Sequence, residues 1–353
     1  MKATRGIRLL ALTVLAALVV LTAACGDDNK SDSGSGSGGG GVTLRLGYFP
    51  NVTHATALVG VKKGIFKKDL GSNKLETKTF KDGTEASEAL SAGAIDATYI
   101  GSGPSINLFQ KSKGEAIRIV SGAAYGGASL VVSKDIKSAK DLRGKTLSSP
   151  KLGNTQDISL RAWLKKQGYK TDANGGGDVK IAPQENSSTL DAFVGGSIDG
   201  AWVPEPWASR LVIEGKGHVL VNEADIWPQG KFLTTVLVVS KKFLDDHPDV
   251  VKLLLKGQVD ANDWVNKNSD EAKTLTNSEI KGLTGKDLST EVMDSAWKQL
   301  TFTNDPLPDA LQGAADQAVS VDLLDSNDIK GIYDLTALNS ALKAKGEKTY
   351  SDA

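Results

Sequence analysis

Two short stretches place neutral hydrogen-bonding residues just ahead of helical patterns. One holds Asn51, Thr53 and His54, the other Asn154, Thr155 and Gln156. A helix start carries unpaired backbone N–H groups and partial positive charge, so it can hold an anion without a fixed countercharge. Asn and Thr also cap helices, and that structural role stays open for each of them. Two further stretches add to the set. Ser102 and Gly103 offer a hydroxyl and a point of close backbone approach, with Pro104 suited to a first helical turn. Tyr125, Gly126 and Gly127 suit a hinge or a backbone donor. Glu205, between Pro204 and Pro206, is the carboxylate of the group. Facing a bound anion it would be unfavourable, so it must be turned away, paired, or directed at a cationic part of the ligand. Trp202 suits an apolar wall or a core, and His54 suits packing or capping as well as binding. No cluster of Arg or Lys accompanies these residues.

Other chemistries are excluded by composition. The chain has 353 residues and one Cys, Cys25, so an internal disulfide framework and Cys-based metal sites are ruled out. Its three His are far apart in sequence, and neither metal nor cofactor is expected. The 42 basic residues are matched by 42 acidic ones, which argues against nucleic acid. No Gly-x-x-x-x-Gly-Lys-Ser/Thr phosphate loop and no Gly-x-Ser-x-Gly elbow occurs.

The elements that must position the candidate residues alternate in type. Thr43–Tyr48, Leu75–Phe80 and Ala97–Ile100 read as strands, Ala55–Phe66 and Glu85–Ala92 as helices. This β-α-β-α-β order predicts an α/β fold with a mostly parallel sheet. The same order returns at a constant shift: Asn51 falls on Asn154, Gly93 on Gly196, Asp96 on Asp199, and Tyr99-Ile100 on Trp202-Val203. Two similar α/β lobes are therefore expected. Facing each other, they would bring four strand ends, at the stretches named above, around one cleft. Leu130–Val132 and Thr234–Val239 read as crossings between lobes, and Asp249–Asn266 and Glu291–Leu300 as helices. Asn277–Gly285 and Thr303–Pro308 carry turn chemistry.

The N-terminus reads as an export signal over residues 1–24. Lys2, Arg5 and Arg8 precede an apolar run, Leu9–Leu21, that is short for a membrane span, and small residues lead into Cys25. Leu21-Thr-Ala-Ala-Cys25 resembles a bacterial lipobox with its Leu one position early, which predicts a lipidated Cys25. Residues 25–41 then form a Gly/Ser tether with no apolar residue after Cys25. Cleavage removes three basic and no acidic residues, leaving a slightly acidic mature chain.

Four segments, GYFPNVTHATALVGVKKGIF, GSGPSINLF, GNTQDISLRAWL and AWVPEPWASR, together resemble the substrate-binding lipoproteins of ABC importers for aliphatic sulfonates, taurine and nitrate. That group also includes binders of thiamine-precursor pyrimidines. The resemblance runs from about Thr43 to about Asp325 and implies a two-lobe periplasmic-binding-protein fold with two crossover strands. Lobe one would comprise residues 42–127 and 236–342, lobe two residues 128–235, with a tail at 343–353. It also implies a monomer anchored to the outer face of the cytoplasmic membrane, an ABC permease with a cytoplasmic ATPase as partner, and a small anion as ligand. An alkanesulfonate is favoured; taurine, nitrate and a pyrimidine precursor are alternatives, as is a sensor or adhesin role. Carried over by position, Asn51, His54, Ser102, Gly103, Gly126, Asn154 to Gln156 and Glu205 would meet the ligand. Desulfinases of this fold need a Cys nucleophile and the pyrimidine synthases a Cys-rich motif, and neither is available here.

Overall fold

The computed structural model describes residues 41–351. The leader, Cys25 and most of the tether lie outside them. The first part of the chain runs β1 (Thr43–Tyr48), α1 (Ala55–Lys62), α2 (Ile65–Asp69), β2 (Lys74–Thr79), α3 (Gly83–Ser91), β3 (Ala97–Ile100), α4 (Ser102–Lys111) and β4 (Ile117–Gly126). The second runs β5 (Ala128–Val132), β6 (Thr146–Ser148), α5 (Thr155–Lys166), β7 (Lys180–Ile181), α6 (Asn186–Val194), β8 (Gly200–Pro204), α7 (Trp207–Ile213) and β9 (His218–Asn222). The third runs β10 (Leu233–Ser240), α8 (Lys241–Asp246), α9 (Pro248–Lys267), α10 (Ser269–Thr284), α11 (Thr290–Lys298), β11 (Leu300–Phe302), α12 (Pro308–Ser320) and α13 (Thr336–Ala344).

These strands make two sheets, ordered β11-β4-β10-β3-β1-β2 and β7-β6-β8-β5-β9. In each, the outer three strands are parallel and the next two join antiparallel. The chain exchanges strands to achieve this. β5 leaves the first lobe and becomes an inner strand of the second sheet, and β10 returns to hold the equivalent place in the first. An inner strand covered on both faces should be apolar throughout. Val236, Leu237, Val238 and Val239 in β10, and Leu130, Val131 and Val132 in β5, are fully buried. The outer strand β2, KLETKT, is largely exposed, and its lysines blunt an edge open to further pairing.

The crossing from β4 to β5 is the pair Gly126-Gly127, both with positive φ (79° and 68°), a conformation that costs glycine little. Gly126 N–H donates to the Phe232 carbonyl at 3.1 Å on the returning crossing, so the two crossings are tied side by side.

Several expected boundaries shift. Gly64, at φ 69°, divides the helix expected over Ala55–Phe66 into α1 and α2. Asn277–Thr284 is the end of α10, with Gly285 as its left-handed cap, so turn chemistry there is confined to the last residue. Leu300 leaves the helix for β11. Leu233 and Thr235, expected with the second lobe, already pair with Tyr125 and Ala124 of β4. The tail expected from Lys343 starts inside α13, and Tyr350 exchanges two hydrogen bonds with Asn339.

The internal repeat holds with one adjustment. Helices α3 and α6 and strands β3 and β8 start at the expected shift of 103. The first strands do not. Leu46 of β1 pairs with Ala97, and Leu147 of β6 with Gly200. Arg45 N–H and Thr146 N–H each donate to the aspartate before the third strand, Asp96 and Asp199, both at 2.8 Å. Residues of these first strands therefore correspond at a shift of 101, and the loop before the first helix differs by two residues.

Candidate functional site

The starts of the helices meet between the two sheets. Their meeting point is a cavity of about 30 Å³, two or three times the ~10–15 Å³ that seats one water. Four pairs of positions related by the 103-residue shift line it: Asn51 and Asn154, Thr53 and Gln156, Gly83 and Asn186, Gly101 and Pro204. The cavity thus sits where the repeat predicts, outside the carboxyl ends of the strands. Larger hollows, of about 920 and 610 Å³, are surface grooves with none of these pairs in their walls.

The lobes touch around the cavity through direct polar contacts. Asn154 Oδ1 accepts from Gly83 N–H at 2.9 Å, and its Nδ2 donates to Thr84 Oγ1 at 3.0 Å. Gly103 N–H donates to Thr155 Oγ1 at 3.1 Å, and Trp207 Nε1 to Asn51 Oδ1 at 3.0 Å. Neither asparagine side chain caps its own helix, so the capping role left open for Asn51 and Asn154 is not the one they take. Lys81, which also lines the cavity, pairs with Glu185 at 3.5 Å, and further out the Ser209 and Ser295 hydroxyl oxygens lie 2.9 Å apart.

His54 lines the cavity and is 3% exposed. Its ring stacks on Phe49 with centroids 4.4 Å apart, and its Nδ1 accepts from Phe49 N–H at 3.2 Å. Burial lowers its pKa to about 3, so the ring is neutral at physiological pH. With Nδ1 an acceptor, the proton sits on Nε2, and His54 is a neutral donor. Thr53, Thr155 and Gln156 join it on the wall. Asp157 holds the loop before α5 from below: its carboxylate accepts from Ser149 Oγ at 2.7 Å, Gly153 N–H at 2.9 Å and Arg161 Nε at 3.0 Å.

Other candidates are placed elsewhere. Ser102 Oγ donates to the Leu233 carbonyl at 3.1 Å, tying α4 to the returning crossing. Gly103 lies at the lobe seam. Tyr125 pairs between β10 and β11, away from the cavity. The Gly126 N–H is spent on Phe232, so Gly126 serves the crossing and not as a ligand donor. Trp202 is fully buried in the second lobe's core, packed edge-on against Trp163, with Nε1 donating to Glu223 at 2.6 Å. Glu205 turns back onto its own helix: its carboxylate accepts from Ser209 N–H at 3.1 Å and Ser209 Oγ at 3.0 Å. Burial raises it to about 7, against the opposing pull of Ser209. The clash of Glu205 with a bound anion is resolved by turning away.

One set of lining residues was not singled out in the sequence: Asp82, Gly83 and Asn186, at the starts of α3 and α6. The repeat contains the signal, since Gly83 and Asn186 are one shift apart and both follow an outer strand. Six strand ends converge here, where four were expected.

This arrangement is that of the periplasmic binding proteins. The alkanesulfonate-binding protein SsuA from Xanthomonas axonopodis pv. citri superposes with a TM-score of 0.68 at 18% identity, over 81% of this chain and 95% of that one. The nitrate-binding protein NrtA from Synechocystis PCC 6803 gives a TM-score of 0.74 at 15% identity, over 86% of this chain and 89% of that one. By sequence, the chain belongs to the NMT1-like family, whose profile matches residues 39–277. A putative aliphatic sulfonates-binding protein of Bacillus subtilis is 27% identical over 349 residues, spanning 94% of this chain and 96% of the relative.

Proposed function

We propose that this chain is the extracytoplasmic substrate-binding component of an ABC importer and captures a small aliphatic sulfonate. The observation that carries the reading is the convergence of paired helix starts on one small cavity, whose wall holds the neutral donors His54, Thr53 and Thr155 beside Lys81 and Asp82. Three sulfonate oxygens need several donors aimed at one point, and His54 Nε2, Thr53, Thr155 and the start of α5 supply them. As it stands the cavity seats only two or three waters, so a sulfonate would enter with the lobes parted. The names of the Bacillus and Xanthomonas proteins agree with sulfonate as the ligand.

Closure of the two lobes would trap the ligand and present a surface to a permease with its ATPase. Export by the leader and a lipid on Cys25 would hold the protein at the outer face of the cytoplasmic membrane, with the Gly/Ser segment as tether. The role is non-catalytic.

A thermal-shift screen of the purified protein tests this reading. Ethanesulfonate or taurine at a hundred times its Kd should stabilise it by about 2.7 kcal/mol, a rise of several degrees in Tm. Stabilisation by nitrate, bicarbonate or a pyrimidine alone would remove the sulfonate reading.

A further inference from the structure

One end of the cavity is built by the loops that follow the outermost strands, β2 and β7, away from the crossings that join the lobes. Lys81, Asp82 and Gly83 line it from the first lobe and Asn186 from the second. Lys81 and Asp82 are the charged residues of the wall, since His54 is neutral.

Two carboxylates at this end are already engaged. Asp82 Oδ1 accepts from Thr84 and Glu85 N–H at 2.9 and 3.0 Å, and Glu85 Oε2 from Lys81 N–H at 3.0 Å. Both serve the start of α3, where a helix favours negative charge. Glu185 does not serve α6 in that way. It stands at the N-cap without a side-chain cap bond, and its carboxylate faces Lys81 Nζ across the lobes at 3.5 Å. The lysine side chain is 69% exposed, and so exposed a pair holds only weakly.

Lys81 has a second acceptor close to the first. Asn186 follows Glu185 directly and is 8% exposed, and its Oδ1 is buried with no hydrogen-bond partner among the described residues. A buried acceptor without a donor is costly, so it calls for one. An ammonium brings three donors on a flexible stem. Turning from Glu185 to Asn186 would carry it from the rim of the cavity to its wall.

Building on the reading of a small anion as ligand, we infer that Lys81 is the residue that neutralises it, leaving Glu185 and turning inward to Asn186 Oδ1 and the ligand's anionic group. Without that movement the anion would meet the Asp82 carboxylate with the nearest positive charge held elsewhere. Glu185 and the ligand then compete for one cation, so the charge of Glu185 weakens binding.

The test is calorimetric titration of ethanesulfonate into wild-type protein, Lys81→Met and Glu185→Gln, with thermal melting of each to check that it is folded. Methionine keeps most of the stem and removes the charge. Lys81→Met should weaken binding at least tenfold, and Glu185→Gln should tighten it at least threefold. A Glu185→Gln variant that binds no more tightly than wild type would overturn the inference, and one that binds more weakly would make the pair a latch holding the lobes together. Lys81→Met within twofold of wild type would overturn it as well. Each of these results leaves the sulfonate reading intact. No binding of ethanesulfonate by wild type would overturn the sulfonate reading and this inference with it.

Discussion

Replacing Gly103 with alanine should weaken ligand binding by about tenfold to a hundredfold while leaving the ligand-free protein as stable as before. Gly103 lies in the first turn of α4, where alanine favours the helix by up to ~1 kcal/mol. Within its own lobe the change is harmless. Across the seam it is not. A Cβ there would lie 2.9 Å from Thr155 N and 3.0 Å from both Thr155 Cα and Ile158 Cδ1. Two of these atoms are backbone and cannot swing aside. Overpacking of this kind costs about 1–3 kcal/mol, and each 1.4 kcal/mol is a factor of ten in Kd. The cost falls on the closed arrangement, because Thr155 and Gly103 belong to different lobes. Calorimetry and thermal melting of the variant measure both halves of the expectation. An affinity within twofold of wild type, or a large loss of ligand-free stability, would contradict it.

Asp157→Ala should destabilise the protein by about 3–5 kcal/mol, the usual cost of breaking a buried ion pair from one side. Asp157 is fully buried and its partner Arg161 is 1% exposed. Arg161 Nη2 already lacks a partner, so removing the carboxylate leaves a poorly compensated guanidinium in the second lobe's interior. The same carboxylate fixes Ser149 and Gly153, on either side of Pro150 in the cavity wall, so ligand binding should fall with stability. The double change Asp157→Ala with Arg161→Met should recover much of the loss, since it removes the orphaned charge. Denaturant titration of wild type, single and double variants checks this. A single variant within 1 kcal/mol of wild type would contradict it.

Much of the fold was legible because the hydrophobic pattern switches period with each element. β1 and β3 fall where alternation and apolar content place them, and the long α9 where its apolar face repeats. β4 was not legible. Its second half, Ser121-Gly-Ala-Ala-Tyr-Gly126, is built of small residues, and it is a strand because β10 and β11 pair with it from both sides. That is a tertiary reason, invisible to local propensity.

The candidate site divides along the same line. Asn51, Thr53, His54, Asn154, Thr155 and Gln156 were legible because a strand end followed by a helix start locates them, and the repeat does so twice. Glu205, Trp202 and Tyr125 were legible as chemistry but not as orientation. Ser209, Glu223 and Leu233 decide where the Glu205, Trp202 and Ser102 side chains are spent, and none is adjacent to its partner in sequence. Asp82 and Asn186 were missed because each reads as an ordinary helix-start residue. Only the three-dimensional packing shows that Asn186 has an acceptor left over.

The most direct test of the account is to locate the ligand's sulfur. The sequence has two Met and one Cys, and Met1 and Cys25 lie in or beside the leader, so few other sulfurs compete. Long-wavelength anomalous scattering from crystals grown with taurine or ethanesulfonate should show one strong peak between His54 and the start of α5, within reach of Thr53 and Thr155. A sulfur peak outside this cavity, or none at saturating ligand, would contradict the account.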